Sequence, residues 1–213
     1  MERTGLVPVF SSADPEHARR VIKACYDGGV RVFEFTNRGD FATLVFAELS
    51  RWVQTELPEM ILGVGSVLDE GTASMYLALG AAFVVAPVLD EATARVCNRR
   101  KVLWVPGIAT ATEINRAHEL GAEIVKLFPA GQQTGADFIQ SVRGPMPWTR
   151  LMPTGGVSPD TESLSAWFKA GAACVGMGSE LFAGVGDVTD PSLLIHRCKS
   201  VLETIAQIKK LQP

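Results

Sequence analysis

Apolar residues gather into short runs that recur along the chain: Leu6 to Phe10, Val30 to Thr36, Met60 to Val64, Phe83 to Ala86, Val102 to Val105, Ile124 to Phe128, Arg150 to Pro153 and Ala173 to Met177. Each run is apolar almost throughout instead of alternating, which is the pattern of parallel strands buried on both faces. The segments between them carry apolar residues at helical spacing and have recognisable ends. Asp14-Pro15-Glu16 offers an N-cap, a proline at the first helical position and an acid on the helix dipole. Ala18, Val21, Ile22 and Cys25 then share one face, and Gly28-Gly29 stops the helix. Thr110 with Glu113 makes a capping-box pattern before a helix ending at Gly121, Ser158-Pro159 opens another that runs to Gly171, and Pro191 to Leu211 reads as a last helix. Repeated strand-then-helix units without a long linker predict an α/β fold, a (β/α)8 TIM barrel made by a single compact domain over residues 1–213. The chain is near the lower size limit of that fold, so its loops must be short. An open doubly wound sheet is the alternative, but no G-x-G-x-x-G fingerprint opens the first β-α turn, and a leucine-rich solenoid would need a repeated signature that is absent.

Composition narrows the function classes. A chain of 213 residues that is 47% hydrophobic and 20% charged can bury one large core. A net charge of −3 supplies no basic stripe for nucleic acid. No apolar run approaches the roughly 18 residues a membrane span needs. Cys25, Cys97, Cys174 and Cys198 are widely spaced and read as reduced, packed thiols. Neither they nor His17, His118 and His196 have metal-ligand spacing, so the reading calls for no metal and no cofactor. The three histidines fall in predicted helices away from strand ends and read as surface residues. The segment from Met1 to Gly5 has no apolar h-region or small-residue cleavage site, so the expected location is the cytoplasm.

The chemistry concentrates at the C-terminal ends of the predicted strands, which share one mouth in a barrel of this kind. Lys126 stands inside the apolar run Ile124 to Phe128, where burial would lower its pKa and leave part of the population as a neutral amine able to attack a ketone. A snorkelling strand-end lysine is the plain alternative. Glu34 is a carboxylate inside Phe33-Glu34-Phe35-Thr36-Asn37-Arg38, with a guanidinium just beyond it. Taken alone, Glu34 could be a structural acid and Arg38 a solvated loop residue. Together with Lys126 they divide the labour: Glu34 shuttles protons, Lys126 attacks, and Arg38 grips a carboxylate with two prongs. In Gly63-Val64-Gly65-Ser66 small residues let a ligand approach the backbone, and Ser66 can donate a hydrogen bond. Pro153-Thr154-Gly155-Gly156 and Gly176-Met177-Gly178-Ser179 are glycine-rich turns that feed helix N-termini, a phosphate-cradling arrangement at the end of such a barrel.

In this order, Phe33 to Arg38, Gly63 to Leu68, Val125-Lys126-Leu127-Phe128-Pro129-Ala130, Pro153 to Val157 and Gly178-Ser179 resemble the class I 2-keto-3-deoxy-6-phosphogluconate aldolases, also called 4-hydroxy-2-oxoglutarate aldolases. The likeness runs from about Val7 to Phe182. It implies that Lys126 is the Schiff-base lysine and Glu34 the proton shuttle, that Arg38 and Ser66 hold the pyruvate carboxylate, and that Pro87 lines the pocket. By the same likeness Gly155, Gly156, Gly178 and Ser179 receive the phosphate and the assembly is a homotrimer; Thr154, in the turn before those glycines, is expected to bind substrate as well. The implied substrate is a small keto acid phosphate. The chain departs from the family pattern at Ser66, where threonine is usual, at Ala109, where a hydroxyl residue is common, and at Gly131, where a glutamate stands in the best-known members. These departures bear on the acceptor aldehyde and not on the aldol core. A phosphosugar isomerase or epimerase using Glu34 as base, and a non-catalytic sugar-phosphate sensor, are the rival readings.

Overall fold

The computed structural model describes residues 1–131, 135–185 and 190–211. Its elements alternate along the chain: β1 (Leu6–Phe10), α1 (Pro15–Asp27), β2 (Val32–Thr36), α2 (Ala42–Glu56), β3 (Ile61–Gly65), α3 (Glu70–Ala78), β4 (Phe83–Val85), α4 (Glu91–Arg100), β5 (Leu103–Val105), β6 (Gly107–Ile108), α5 (Ala111–Glu119), β7 (Val125–Leu127), α6 (Ala136–Arg143), β8 (Leu151–Pro153), α7 (Thr161–Lys169), β9 (Val175–Met177), α8 (Ser179–Phe182) and α9 (Ser192–Lys210). The strands form a six-stranded sheet in the order β5-β4-β3-β2-β1-β9 and a three-stranded sheet β6-β7-β8, and every pairing is parallel. A single parallel bridge between Thr154 and Gly176 links the end of β8 to β9. This is an α/β fold with helices packed on one face of its sheets.

Local signals explain most element ends. The Asp14 side chain accepts from the Glu16 amide, and Gly28 caps the other end of α1. Thr110 and Glu113 form the full capping box of α5, which Gly121 terminates with φ +85. The expected Ser158-Pro159 opening is displaced: Asp160 is the N-cap of α7, accepting from the Ser163 amide at 2.8 Å, and the Ser158 hydroxyl donates to the Asp160 carboxylate. An ionised carboxylate is the stronger acceptor for the first-turn amides, so it sets the helix start. Pro106 ends β5 directly after the fifth run, because proline cannot donate to the ladder, and a further two-residue strand, β6, lies beyond it.

Two groups of buried apolar side chains mark the two faces of the sheets. The larger one joins the helices to Leu6, Phe33, Phe35, Leu62, Val64, Trp104 and their equivalents. The smaller one contains Val7, Val32, Phe83, Val85, Val105, Ile124, Met152 and Cys174, and no helix residue. All four cysteines are buried and free, and the Cys25 and Cys198 sulfurs lie 3.9 Å apart. Two histidines correct the surface reading. His17 is half-buried, edge-on to Phe10 at the end of β1, with Nδ1 3.4 Å from the Ser12 hydroxyl. His118 is half-buried too, its ring nitrogens 3.2 Å from the Ala122 carbonyl and 3.3 Å from the Thr149 hydroxyl. Each ring packs where its helix turns onto a strand entry or exit, and only His196 is exposed. Among the described residues, no helix is long and apolar enough to cross a membrane, and no group of three or more His, Cys, Asp or Glu could hold a metal ion.

Candidate active site

Strand periodicity brings the candidate residues onto one face. Side chains two apart on a strand point the same way. Val9 follows Val7, Glu34 follows Val32, Lys126 follows Ile124 and Thr154 follows Met152 at that spacing, so all four extend the helix-free cluster toward the C-terminal strand ends. The register places Glu34 beside Val9 and Gly63, and Lys126 beside Gly107 and Met152.

Glu34 is fully buried and Lys126 is 5% exposed. Neither carboxylate oxygen of Glu34 has a hydrogen-bond partner among the described residues, so this group does not repay its burial structurally. Burial raises the Glu34 pKa above 4.5, opposed by the positive charges of Lys126 and Arg38. Burial likewise lowers the Lys126 pKa below 10.5; the Glu34 carboxylate opposes the shift and the Arg38 guanidinium adds to it. In both cases desolvation is the largest cause, and it drives the pair toward a neutral amine facing a neutral acid. The Phe128 ring, its centroid 4.8 Å from Lys126 Nζ, offers the only aromatic face recorded against that nitrogen among the described residues.

The glutamate has room only because β3 lacks side chains opposite it. A Cβ on Gly65 would overlap Glu34 Oε1, whereas a Cβ on Gly63 would overlap the Phe83 ring. Gly65→Ala is therefore expected to displace the carboxylate and slow turnover by roughly a hundredfold, the lower range for losing an acid-base group. Gly63→Ala should lower the melting temperature through overpacking of Phe83 with a much smaller change in kcat. Steady-state kinetics and thermal denaturation of the two variants check this pair.

A cavity of about 220 Å³ opens above these strands. Arg38, Lys126, Phe128, Thr154, Gly155, Gly156, Gly178 and Ser179 are among the residues that line it. Gly155 and Gly156 have φ of +82 and +78, a region that favours glycine, and a Cβ on Gly156 would press on the Ala130 carbonyl at 2.6 Å. Three expected residues are not part of this lining. Glu34 lies beneath it, linked to Lys126 and Arg38 electrostatically. Ser66, at φ 59, reaches the site through its Oγ, 3.4 Å from Arg38 Nε. Pro87 sits with its carbonyl against Gly107, where a Cβ would collide with it. Val9, Val157 and Glu180 also line the cavity and were not singled out by sequence. The two-residue period from buried Val7 could have found Val9. Glu180 carries no such signal, because a glutamate in the first turn of a helix is ordinary.

Residues 1–188 match the family model described as KDPG and KHG aldolase. The chain belongs to this aldolase family. Among its relatives are a 2-dehydro-3-deoxy-phosphogluconate aldolase from Treponema pallidum, 37% identical over 157 residues that span 74% of this chain and 73% of that protein. A KHG/KDPG aldolase from Escherichia coli K12 is 34% identical, over 72% of this chain and 70% of its own length. Among solved structures, the 2-keto-3-deoxy-6-phosphogluconate aldolase of Zymomonas mobilis ZM4 with 3-phosphoglycerate superposes with a TM-score of 0.78 at 26% identity, covering 92% of this chain and 90% of that one. In this aldolase the Lys126 strand, the Glu34 strand and the glycine turns all fall inside the matched region.

Proposed function

We propose that this protein is a Schiff-base aldolase that cleaves a 2-keto-3-deoxy sugar acid phosphate of the 2-dehydro-3-deoxy-6-phosphogluconate type to pyruvate and glyceraldehyde 3-phosphate. The same site would split 4-hydroxy-2-oxoglutarate to pyruvate and glyoxylate. The observation that carries this reading is the buried Glu34 and Lys126 pair, pushed by desolvation toward its neutral form beside the cavity. The names of the Treponema pallidum and Escherichia coli relatives support the same substrates.

The neutral Lys126 amine adds to the C2 ketone, and loss of water from the carbinolamine leaves a protonated imine. That imine is a fixed cation close to Glu34, which favours the ionised carboxylate. Glu34 takes the C4 hydroxyl proton, the C3–C4 bond breaks, and its electron pair flows into the imine to give an enamine and the free aldehyde. Protonation at C3 and hydrolysis then release pyruvate and restore the amine. Arg38 and Ser66 hold the substrate carboxylate at one end. Thr154, the backbone of Gly155, Gly156 and Gly178, and Ser179 receive the phosphate at the other. The 3-phosphoglycerate in the Zymomonas mobilis structure supports a phosphate-accepting cavity in this scaffold. Pro87 acts at one remove, by packing its carbonyl on Gly107 of β6, the strand that pairs with the one holding Lys126.

The test is covalent capture. Incubation with pyruvate and sodium borohydride should leave a permanent mass gain on the peptide that carries Lys126. A phosphosugar isomerase or a non-catalytic sensor on the same scaffold needs no imine, and an unmodified peptide would favour one of those. Pyruvate release across phosphogluconate-, phosphogalactonate- and hydroxyglutarate-type substrates then ranks the acceptors.

The two sheets are best understood as one closed (β/α)8 barrel in a single domain. The Thr154–Gly176 bridge supports closure on one side, and on the other β5 and β6 read as one stave interrupted by Pro106. Exposed Phe41, Leu44, Leu68, Met75 and Val88 cluster on the segments after β2, β3 and β4, three neighbouring strands. Further copies of this chain would cover that apolar face in a homotrimer working in the reducing cytoplasm. Light scattering that returns a monomer at micromolar concentration would remove the trimer from the proposal.

A further inference from the structure

We propose that Tyr76 is a positioning residue for Arg38, acting through the side chain of Asn37. The proposal rests on the reading above in which Arg38 holds the substrate carboxylate. Arg38 needs outside help to keep a fixed direction. It leaves the sheet on an exposed stretch with Gly39, Asp40 and Phe41, two of which have positive φ (Gly39 +81 and Phe41 +62). Its recorded side-chain hydrogen bond, to Ser66, is long at 3.4 Å. A long charged side chain loses much rotamer freedom when it grips a ligand, so a preset backbone matters for affinity.

That backbone is set one residue earlier. The Asn37 amide donates to the Gly65 carbonyl at 2.8 Å, continuing the β2–β3 ladder by one step, and the Arg38 amide then donates back to the Thr36 carbonyl at 2.8 Å. The chain therefore turns out of the sheet at a fixed point, and Asn37 is its last anchored residue. The Tyr76 hydroxyl donates to Asn37 Oδ1 at 2.8 Å across 39 residues of sequence. Tyr76 itself is fully buried on α3 and cannot follow a moving loop. Its ring meets Phe46 of α2 edge-on at 5.0 Å, and Phe46 packs on Phe35 of β2 at 6.2 Å. This aromatic ladder ties the hydroxyl to the strand that carries Glu34 and to the helix that follows the Arg38 segment. One phenol thus sets the distance between the carboxylate grip and the proton shuttle.

Tyr76→Phe removes the hydroxyl and keeps the ring. The expected result is a KM about three- to tenfold higher, the scale of one intramolecular hydrogen bond, with kcat within about twofold of the parent. Asn37→Ala, on a half-buried loop position, should reproduce the effect if the first variant folds poorly. The Tyr76→Phe/Asn37→Ala double variant should be no worse than Asn37→Ala alone, because the hydroxyl has then lost its target. Additive losses in KM, or a lower melting temperature with unchanged KM, would reduce Tyr76 to core packing and overturn the proposal. Arg38→Met separates the two levels. If it raises KM and Tyr76→Phe does not, positioning alone fails; if Arg38→Met leaves KM unchanged, the carboxylate grip fails and this proposal falls with it.

Discussion

Lys126→Arg is expected to abolish aldol cleavage, by on the order of 10⁴-fold or more, and to abolish borohydride trapping of pyruvate altogether. The substitution places a permanent cation in the strand and removes the nucleophile, since a guanidinium stays protonated at any working pH. It therefore separates charge from chemistry, which an alanine replacement would not. Arginine is bulkier, and Lys126 is buried between Gly107 and Met152, so Lys126→Met serves as the control for packing. Both variants should fold and both should be inactive. Trapping that persists in either one, on any other lysine, would show that the imine forms elsewhere.

The second large effect belongs to Glu34→Gln. Turnover should drop by about a hundred- to ten-thousand-fold, the usual cost of an acid-base group, while pyruvate trapping on Lys126 continues. The pH dependence of trapping gives a sharper check. The Glu34 carboxylate raises the Lys126 pKa against the larger lowering by burial. Removing that carboxylate should leave the amine easier to deprotonate, so the trapping curve of Glu34→Gln should move to lower pH. The parent's cleavage rate should fall as pH drops through the raised Glu34 value, above 4.5, and that limb should be missing in the variant. A trapping curve that moves up, or stays still, would mean that the two groups are not electrostatically coupled.

Much of this was readable from the chain because burial and charge conflict at only a few positions. A lysine and a glutamate inside runs of Val, Ile, Leu and Phe are costly to bury, so their presence pointed to chemistry before any contact was known. The apolar runs located the strands for the same reason, although ends shifted by up to two residues: Val30 to Thr36 became Val32–Thr36, and Ile124 to Phe128 became Val125–Leu127. Strand ends depend on ladder partners, which a single sequence does not reveal. The two-residue strand after Pro106 was missed because Pro-Gly reads as a turn. Gly65 was legible as a small residue but not as the space for Glu34, since that requires the register between β2 and β3. The Tyr76–Asn37 bond spans too much sequence to be inferred from any local pattern.

The dependence of Glu34 on an empty neighbour has a practical corollary for enzyme design. Anyone grafting this buried carboxylate into another parallel-stranded scaffold must transplant two strands, because the acid and its matching vacancy are encoded 31 positions apart, at Glu34 and Gly65. A donor strand moved by itself would arrive with its carboxylate pointed at a methyl group.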